Sequence, residues 1–221
     1  MSTLTEELIE PTTELGREVL SELTTPTEAS PRFNLTERPP RPAWIEIDLG
    51  QLRRNFHLIA QDKPRAVQLL SVVKDEAYGH GAEHVARVAL DCGASFLALA
   101  TVEEAMTLCD RGIKARVLLL GDRQESELPW CIAHDLTCCV SEPETVAKLA
   151  QLAARADKRA PVHVKINTGM NRYGVRWTEA LPLVERILAT KSLALEGVLS
   201  HFAQSDETDK TFALLQLERF D

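Results

Sequence analysis

The chain has 221 residues and a formal net charge of −8, with 44% apolar and 26% charged side chains; this suits a soluble globular protein of one large domain or two small ones. An acidic balance without a basic cluster argues against a nucleic-acid footprint and a polybasic membrane surface. No apolar run approaches the roughly 18 residues that span a bilayer, and Met1 to Glu10 are polar and acidic where a secretory signal is basic and then apolar, so a cytoplasmic location is expected.

Residues 1 to 43 hold six of the 11 prolines among many Thr, Ser and Glu. Apart from a possible short helix, Glu14 to Leu23, they read as a flexible, low-order extension unable to bury much apolar surface. From residue 44 the pattern changes. Trp44 to Leu49 alternates with period two, as a strand does, and Gly50 to Ala60 follows with helical spacing. Gln68 to Val73 is an apolar run that delivers Lys74 to its tip, before the polar, glycine-containing turn Asp75 to Gly81 and a helix from Ala82 to Leu90.

The alternation then repeats. Strands are expected at Ser95 to Ala100, Arg116 to Leu120, Leu136 to Val140, Val162 to Ile166 and Leu195 to Ser200. Helices are expected at Val102 to Arg111, Glu125 to His134, Glu142 to Ala156, Glu179 to Ala189 and Asp209 to Asp221. Ser141 reads as an N-cap, with Pro143 in the first turn behind it. Counted from the lysine strand, these are six β-then-α units, which implies a parallel sheet, doubly wound or closed as a barrel. No GxGxxG or GxxxxGK[ST] follows a strand, so the usual dinucleotide and P-loop readings fall away. Six units are too few for an eight-stranded (β/α)8 barrel, so a barrel here would be a truncated one.

The five cysteines, Cys92, Cys109, Cys131, Cys138 and Cys139, are odd in number and lack CxxC spacing, which suggests neither a disulfide framework nor a zinc knuckle. They read as small core residues in a reducing compartment. The pairs His80/His84 and His201/Asp206 form no recognised ligand set, and no metal is expected.

In a parallel barrel, ligand groups come from the C-terminal ends of several strands. Those ends here are Lys74 with Tyr78 and His80, Glu103 with Glu104, Gly121-Asp122-Arg123, Lys165 to Arg172, and His201 to Asp206. A lysine at a strand tip often does no more than snorkel to water. Removed from solvent or set beside a cation, a lysine amine favours its neutral, nucleophilic form and makes a Schiff base with a carbonyl compound. Arg172, in a loop with two glycines, offers two donors at once to a phosphate or carboxylate, although a structural arginine in a solvated loop is the plain alternative. Taken together, the residues describe an imine-forming lysine in an anion-binding α/β barrel.

Val72-Val73-Lys74-x-x-Ala77-Tyr78-Gly79-His80-Gly81 resembles the pyridoxal-phosphate lysine motif of alanine racemases. Lys165-x-x-Thr168-Gly169-Met170-x-Arg172-x-Gly174 resembles their second signature, and Ser200-His201-Phe202-Ala203 their third. Trp44-x-Glu46-Ile47-Asp48-Leu49 and Ala100-Thr101-Val102-Glu103-Glu104-Ala105 are similar to the family's opening strand and second strand end. The resemblance runs from about residue 43 to the last residue.

It implies a fold-type III TIM-type barrel over residues 44–221 that interconverts L- and D-alanine with pyridoxal 5'-phosphate. Lys74 would hold the cofactor as an imine and act as base for one enantiomer, Tyr78 contact its phosphate, and Arg172 lie near its phenolic oxygen and the substrate carboxylate. Lys165, carbamylated in many family members, would support Arg172, and His201 would pack beside the cofactor ring. The second base is a tyrosine of a C-terminal β-domain reached across a homodimer. That tyrosine and the last two barrel strands are expected beyond Asp221, so the chain alone is expected to be inactive and unstable, its sheet edge open.

The resemblance also implies D-alanine supply for peptidoglycan. Asp75-Glu76 stand where the family usually has Ala-Asn, and Asn167 where it has Asp. The alternatives are a decarboxylase or a racemase of serine, lysine or another small amino acid, a non-catalytic pyridoxal-phosphate carrier, and a structural fragment that binds no cofactor.

Overall fold

The computed structural model describes residues 43–221. The expected extension, with its helix at Glu14 to Leu23, therefore lies outside the described residues but for Ala43. The chain divides into two units between Ile45 and Glu46. Of the first, residues 43–45 are described and carry no regular secondary structure.

The second unit begins with helix α1 (Leu49–Asp62), whose N-cap Asp48 accepts the Gln51 amide at 2.8 Å. That cap displaces the strand expected at Trp44 to Leu49: residues 43–48 lie in no ladder and the helix starts inside the expected strand. Alternation marks a strand only where a neighbouring backbone completes the ladder, and the aspartate instead supplies a helix start.

Then come β1 (Leu69–Val72), α2 (Ala82–Asp91), β2 (Ala94–Leu99), α3 (Val102–Asp110), β3 (Arg116–Leu119), α4 (Leu128–Ala133), β4 (Thr137–Val140) and α5 (Pro143–Arg155). They are followed by β5 (Ala160–Asn167), the two-residue β6 (Val175–Arg176), a 3-10 turn at Trp177–Glu179, α6 (Ala180–Leu188), β7 (Leu193–Leu199) and α7 (Thr211–Phe220). Six strands form one parallel sheet in the order β1-β2-β3-β4-β5-β7, a half-barrel. The short β6 pairs with the end of β5, Ile166 opposite Val175. The six expected β-then-α units are present, each boundary within a few residues of its expected place.

Strand alternation divides the sheet into two faces. Leu97, Leu99, Leu119, Cys138, Val140, Val162 and Val164 point outward and pack on Ala86, Ala105, Leu108, Leu128, Val146, Leu149, Leu183 and Ile187 of the helices. Leu97, Leu99, Leu119 and Leu149 are completely buried, each contributing about 1.5–3 kcal/mol of transfer free energy. The concave face is a smaller cluster of Phe96, Ala98, Leu118 and Cys139, with Leu120 and Leu199 against it.

Two local expectations fail. Glu142, not Ser141, is the N-cap of α5, and its side chain makes no cap bond; the Ser141 hydroxyl and amide both donate to Asp122, just beyond the end of β3. The cysteines divide: Cys131, Cys138 and Cys139 are buried, whereas Cys92 is half-buried and Cys109 exposed. Both lie toward the C-terminal ends of outer helices, away from the strands.

Candidate functional site

The site is built at the C-terminal rim of the half-barrel. Val73, fully buried, continues β1 by donating its N–H to Ala98 at 2.9 Å, and Lys74 is the first residue beyond. Its side chain is about one-third exposed. From there the chain winds left-handed: Asp75, Glu76, Ala77 and Tyr78 all have φ between 52 and 56° and ψ between 38 and 49°. At about 1–2 kcal/mol per L-residue, such a turn costs roughly 4–8 kcal/mol and needs compensating bonds.

Several are present. Ala77 donates to the Val73 carbonyl at 3.0 Å, Gly81 to the Glu76 carbonyl at 2.8 Å, and Asp75 to Glu104 Oε1 at 2.5 Å. The His80 ring donates from Nδ1 to the Ala77 carbonyl at 2.9 Å. The two unusual acids take separate paths. Asp75 keeps a carboxylate oxygen 3.9 Å from Lys74 Nζ, whereas Glu76 turns away and accepts the Ala82 amide at 3.1 Å, capping α2, whose own N-cap residue has no side chain. Tyr78 is 61% exposed, with Lys74 Nζ 5.8 Å from its ring centroid.

Across the rim, Lys165 sits near the end of β5 on the concave face and is 7% exposed. Burial pushes its ammonium pKa down; nearby Cys139 opposes that shift and Arg172 adds to it. The Tyr173 ring lies beside both cations, its centroid 5.6 Å from Lys165 Nζ and 5.0 Å from the Arg172 guanidinium carbon, a favourable place for both. Gly174, at φ +122°, lets the loop close over the lysine. A Cβ there would lie 3.0 Å from the Asn167 nitrogen and 3.1 Å from Lys165 Cγ. Asn167 Oδ1 accepts from the amides of Gly169 and Asn171, both at 3.1 Å, so an asparagine does here what only the oxygen of an aspartate would be asked to do.

His201 follows β7. Burial first, and then the charges of Lys165, Arg172 and Lys74, hold its imidazole pKa below the ordinary value. Lys74, Lys165 and Arg172 thus all reach His201 electrostatically from a single rim. Tyr78 lies beside Lys74, while Arg172 and Tyr78 both face solvent, so the rim is open.

Sequence reasoning did not find what ties the strand ends together. Glu104 Oε2 accepts the amides of Ala100 at 2.8 Å and Thr101 at 3.1 Å. Arg123, its side chain 7% exposed, donates to the carbonyls of Ala100 at 2.9 Å, Leu120 at 2.8 Å and Gly121 at 3.3 Å. Asp122 joins β3 to β4 through Ser141. Gln216 of α7, 1% exposed, bonds Thr168, the His201 carbonyl and the Ala203 amide, and Thr168 shares a 2.7 Å hydroxyl contact with Ser200. Of these, only the Thr101-x-x-Glu104 capping box has a signal in sequence spacing.

The family model described as "Alanine racemase, N-terminal domain" matches residues 47–221. The chain is 41% identical over 181 residues to alanine racemase 2 of Caldanaerobacter subterraneus, covering 81% of this chain and 47% of that protein. It is 36% identical over 186 residues to alanine racemase of Halothermothrix orenii, covering 84% and 49%. Among solved structures, alanine racemase of Clostridium difficile 630 superposes with a TM-score of 0.78 at 31% identity, covering 83% of this chain and 48% of that one. The chain therefore spans about half the length of the curated relatives it matches.

Proposed function

Since the chain belongs to the alanine racemase N-terminal domain family, we propose that it serves the interconversion of L- and D-alanine with pyridoxal 5'-phosphate bound at Lys74. What supports this reading is the meeting of Lys74, Lys165, Arg172 and His201 on one rim. An amine, two further cations and a neutral-leaning imidazole suit a molecule that carries both an aldehyde and an anion. When bound, pyridoxal phosphate supplies an electron sink that makes the α-proton of an amino acid removable.

The roles proposed for this chain's residues follow. Lys74 binds the cofactor covalently, and its Nζ holds or releases a proton on one face of the substrate. The Tyr78 hydroxyl donates to the phosphate. Arg172 presents its guanidinium to the phenolic oxygen and to the substrate carboxylate, fixing orientation. Lys165 positions Arg172 through their shared contact with Tyr173; its lowered pKa enlarges the neutral fraction that carbamylation requires. His201 packs beside the ring.

Racemisation needs a second base on the opposite face, and we assign that to a tyrosine supplied by a partner subunit of a homodimer. Residues 44–221 would then be an incomplete cofactor-binding barrel domain preceded by an extension. The wider setting proposed is the cytoplasm and D-alanine supply for peptidoglycan. No helix among the described residues is long and apolar enough to cross a membrane.

Asp75 favours one second reading. Its carboxylate beside Lys74 is an acceptor that a hydroxyl-bearing amino acid would meet and alanine would not, which suits a racemase of another small amino acid such as serine.

Borohydride reduction of the full-length protein with pyridoxal phosphate, followed by peptide mapping, tests the assignment. A pyridoxyl group on Lys74 is expected, and a group on any other lysine, or none, refutes it. The 221 residues alone are expected to produce no D-alanine; turnover above the buffer rate refutes that part.

A further inference from the structure

Helix capping accounts for only part of what Glu104 does. In the capping box at the start of α3, its backbone N–H donates to Thr101 Oγ1 at 3.2 Å and its Oε2 accepts the Thr101 amide. The other oxygen, Oε1, reaches 29 residues back along the chain to accept the amide of Asp75. A capping box gains nothing from that bond. Its effect falls on the left-handed turn.

We propose that Glu104 is a positioning residue for Lys74, a clamp that fixes the backbone on the far side of the lysine; the proposal rests on Lys74 being the cofactor lysine. On the near side, buried Val73 is bonded to Ala98 of β2. On the far side, the Asp75 amide is bonded to the Glu104 carboxylate, itself anchored by Oε2 to the amides of Ala100 and Thr101 at the end of the same strand. Arg123 holds that strand end in turn through the Ala100 carbonyl. Lys74 is therefore the one residue between two attachments to β2. Asp, Glu, Ala and Tyr in a left-handed winding have little intrinsic tendency to stay there, so releasing one attachment lets the turn rewind and the lysine root move.

Two substitutions separate this role from capping. Glu104→Gln keeps one oxygen for Ala100 and Thr101 but sets an amide NH2 against the Asp75 N–H. Thr101→Val removes the capping hydroxyl and leaves the Asp75 bond intact. In the cofactor-free chain, hydrogen exchange of residues 74–79 is expected to be about tenfold faster in Glu104→Gln, the loss of one charge-assisted bond. It should be unchanged in Thr101→Val. With pyridoxal phosphate added, borohydride trapping at Lys74 should half-saturate at about tenfold more cofactor in Glu104→Gln and at the wild-type concentration in Thr101→Val. Equal exchange in Glu104→Gln and wild type, or equal effects of the two variants, overturns the clamp. Faster exchange in Glu104→Gln than in wild type, with no adduct on Lys74 of the wild type, overturns the cofactor assignment alone.

Discussion

Replacing Gly174 by alanine is expected to be among the most costly single-methyl additions available in this chain. At φ +122° the backbone lies where L-residues are strained, a cost of about 1–3 kcal/mol. The added Cβ would also stand 3.0 Å from the Asn167 nitrogen and 3.2 Å from the Lys165 carbonyl oxygen, backbone atoms that cannot swing aside. Overpacking of this kind adds about 1–3 kcal/mol, less what relaxes, for a total of about 2–4 kcal/mol. Gly93 supplies the control: its φ is +92°, yet a Cβ there meets nothing within 4 Å, so Gly93→Ala should cost only the strain, about 1–2 kcal/mol. Urea unfolding followed by circular dichroism measures both. A Gly174→Ala loss no larger than that of Gly93→Ala would refute the view that the loop is closed tightly over Lys165.

Gln216→Leu removes three bonds from a buried side chain and should lower stability by about 2–4 kcal/mol, read as a fall in melting temperature. Glu76→Ala should cost about 1 kcal/mol as the lost cap of α2, whereas Asp75→Ala, an exposed partner, should change stability by less than about 0.5 kcal/mol; similar losses in chemical denaturation would contradict the separate paths of the two acids. His163, on the concave face 6.0 Å from the Phe96 ring, has its pKa lowered by burial, with Glu196 opposing and Arg116 assisting. The neutral ring is therefore favoured in the folded state, so its contribution is complete above the ordinary value of about 6.5 and is lost as pH falls through it toward the folded pKa. Between about pH 5 and 7 the dependence of the melting temperature should be shallower in His163→Gln than in wild type.

The alternation of strands and helices was legible because each strand is a short aliphatic run, as in Arg116 to Leu120, and each helix repeats its apolar residues with helical spacing. The rim followed from it, since a parallel sheet carries all its C-terminal ends to one side, and Lys74, Lys165, Arg172 and His201 lie at such ends. Failures came where a distant partner overrode a local tendency. Ser141 has the propensity of a cap but is bonded to Asp122, and the alternating run at Trp44 to Leu49 has no ladder while Asp48 starts a helix. The left-handed turn left no mark in sequence, because Asp75 to Tyr78 include no glycine; the winding depends on acceptors elsewhere, Glu104 among them. The bonds made by Arg123 and Gln216 were likewise invisible, since their partners are backbone carbonyls, a backbone amide and one hydroxyl, brought near only by the fold.

The chain contains two tyrosines, Tyr78 and Tyr173. One lies beside Lys74 and the other beside Lys165 and Arg172, which makes the phenol rings a built-in reporter confined to the rim. Protein labelled with fluorotyrosine would give two resonances, both from the site and neither from the rest of the fold. A ligand entering from either side, or a change in charge at Lys165, would be read on its own line without introducing a foreign probe.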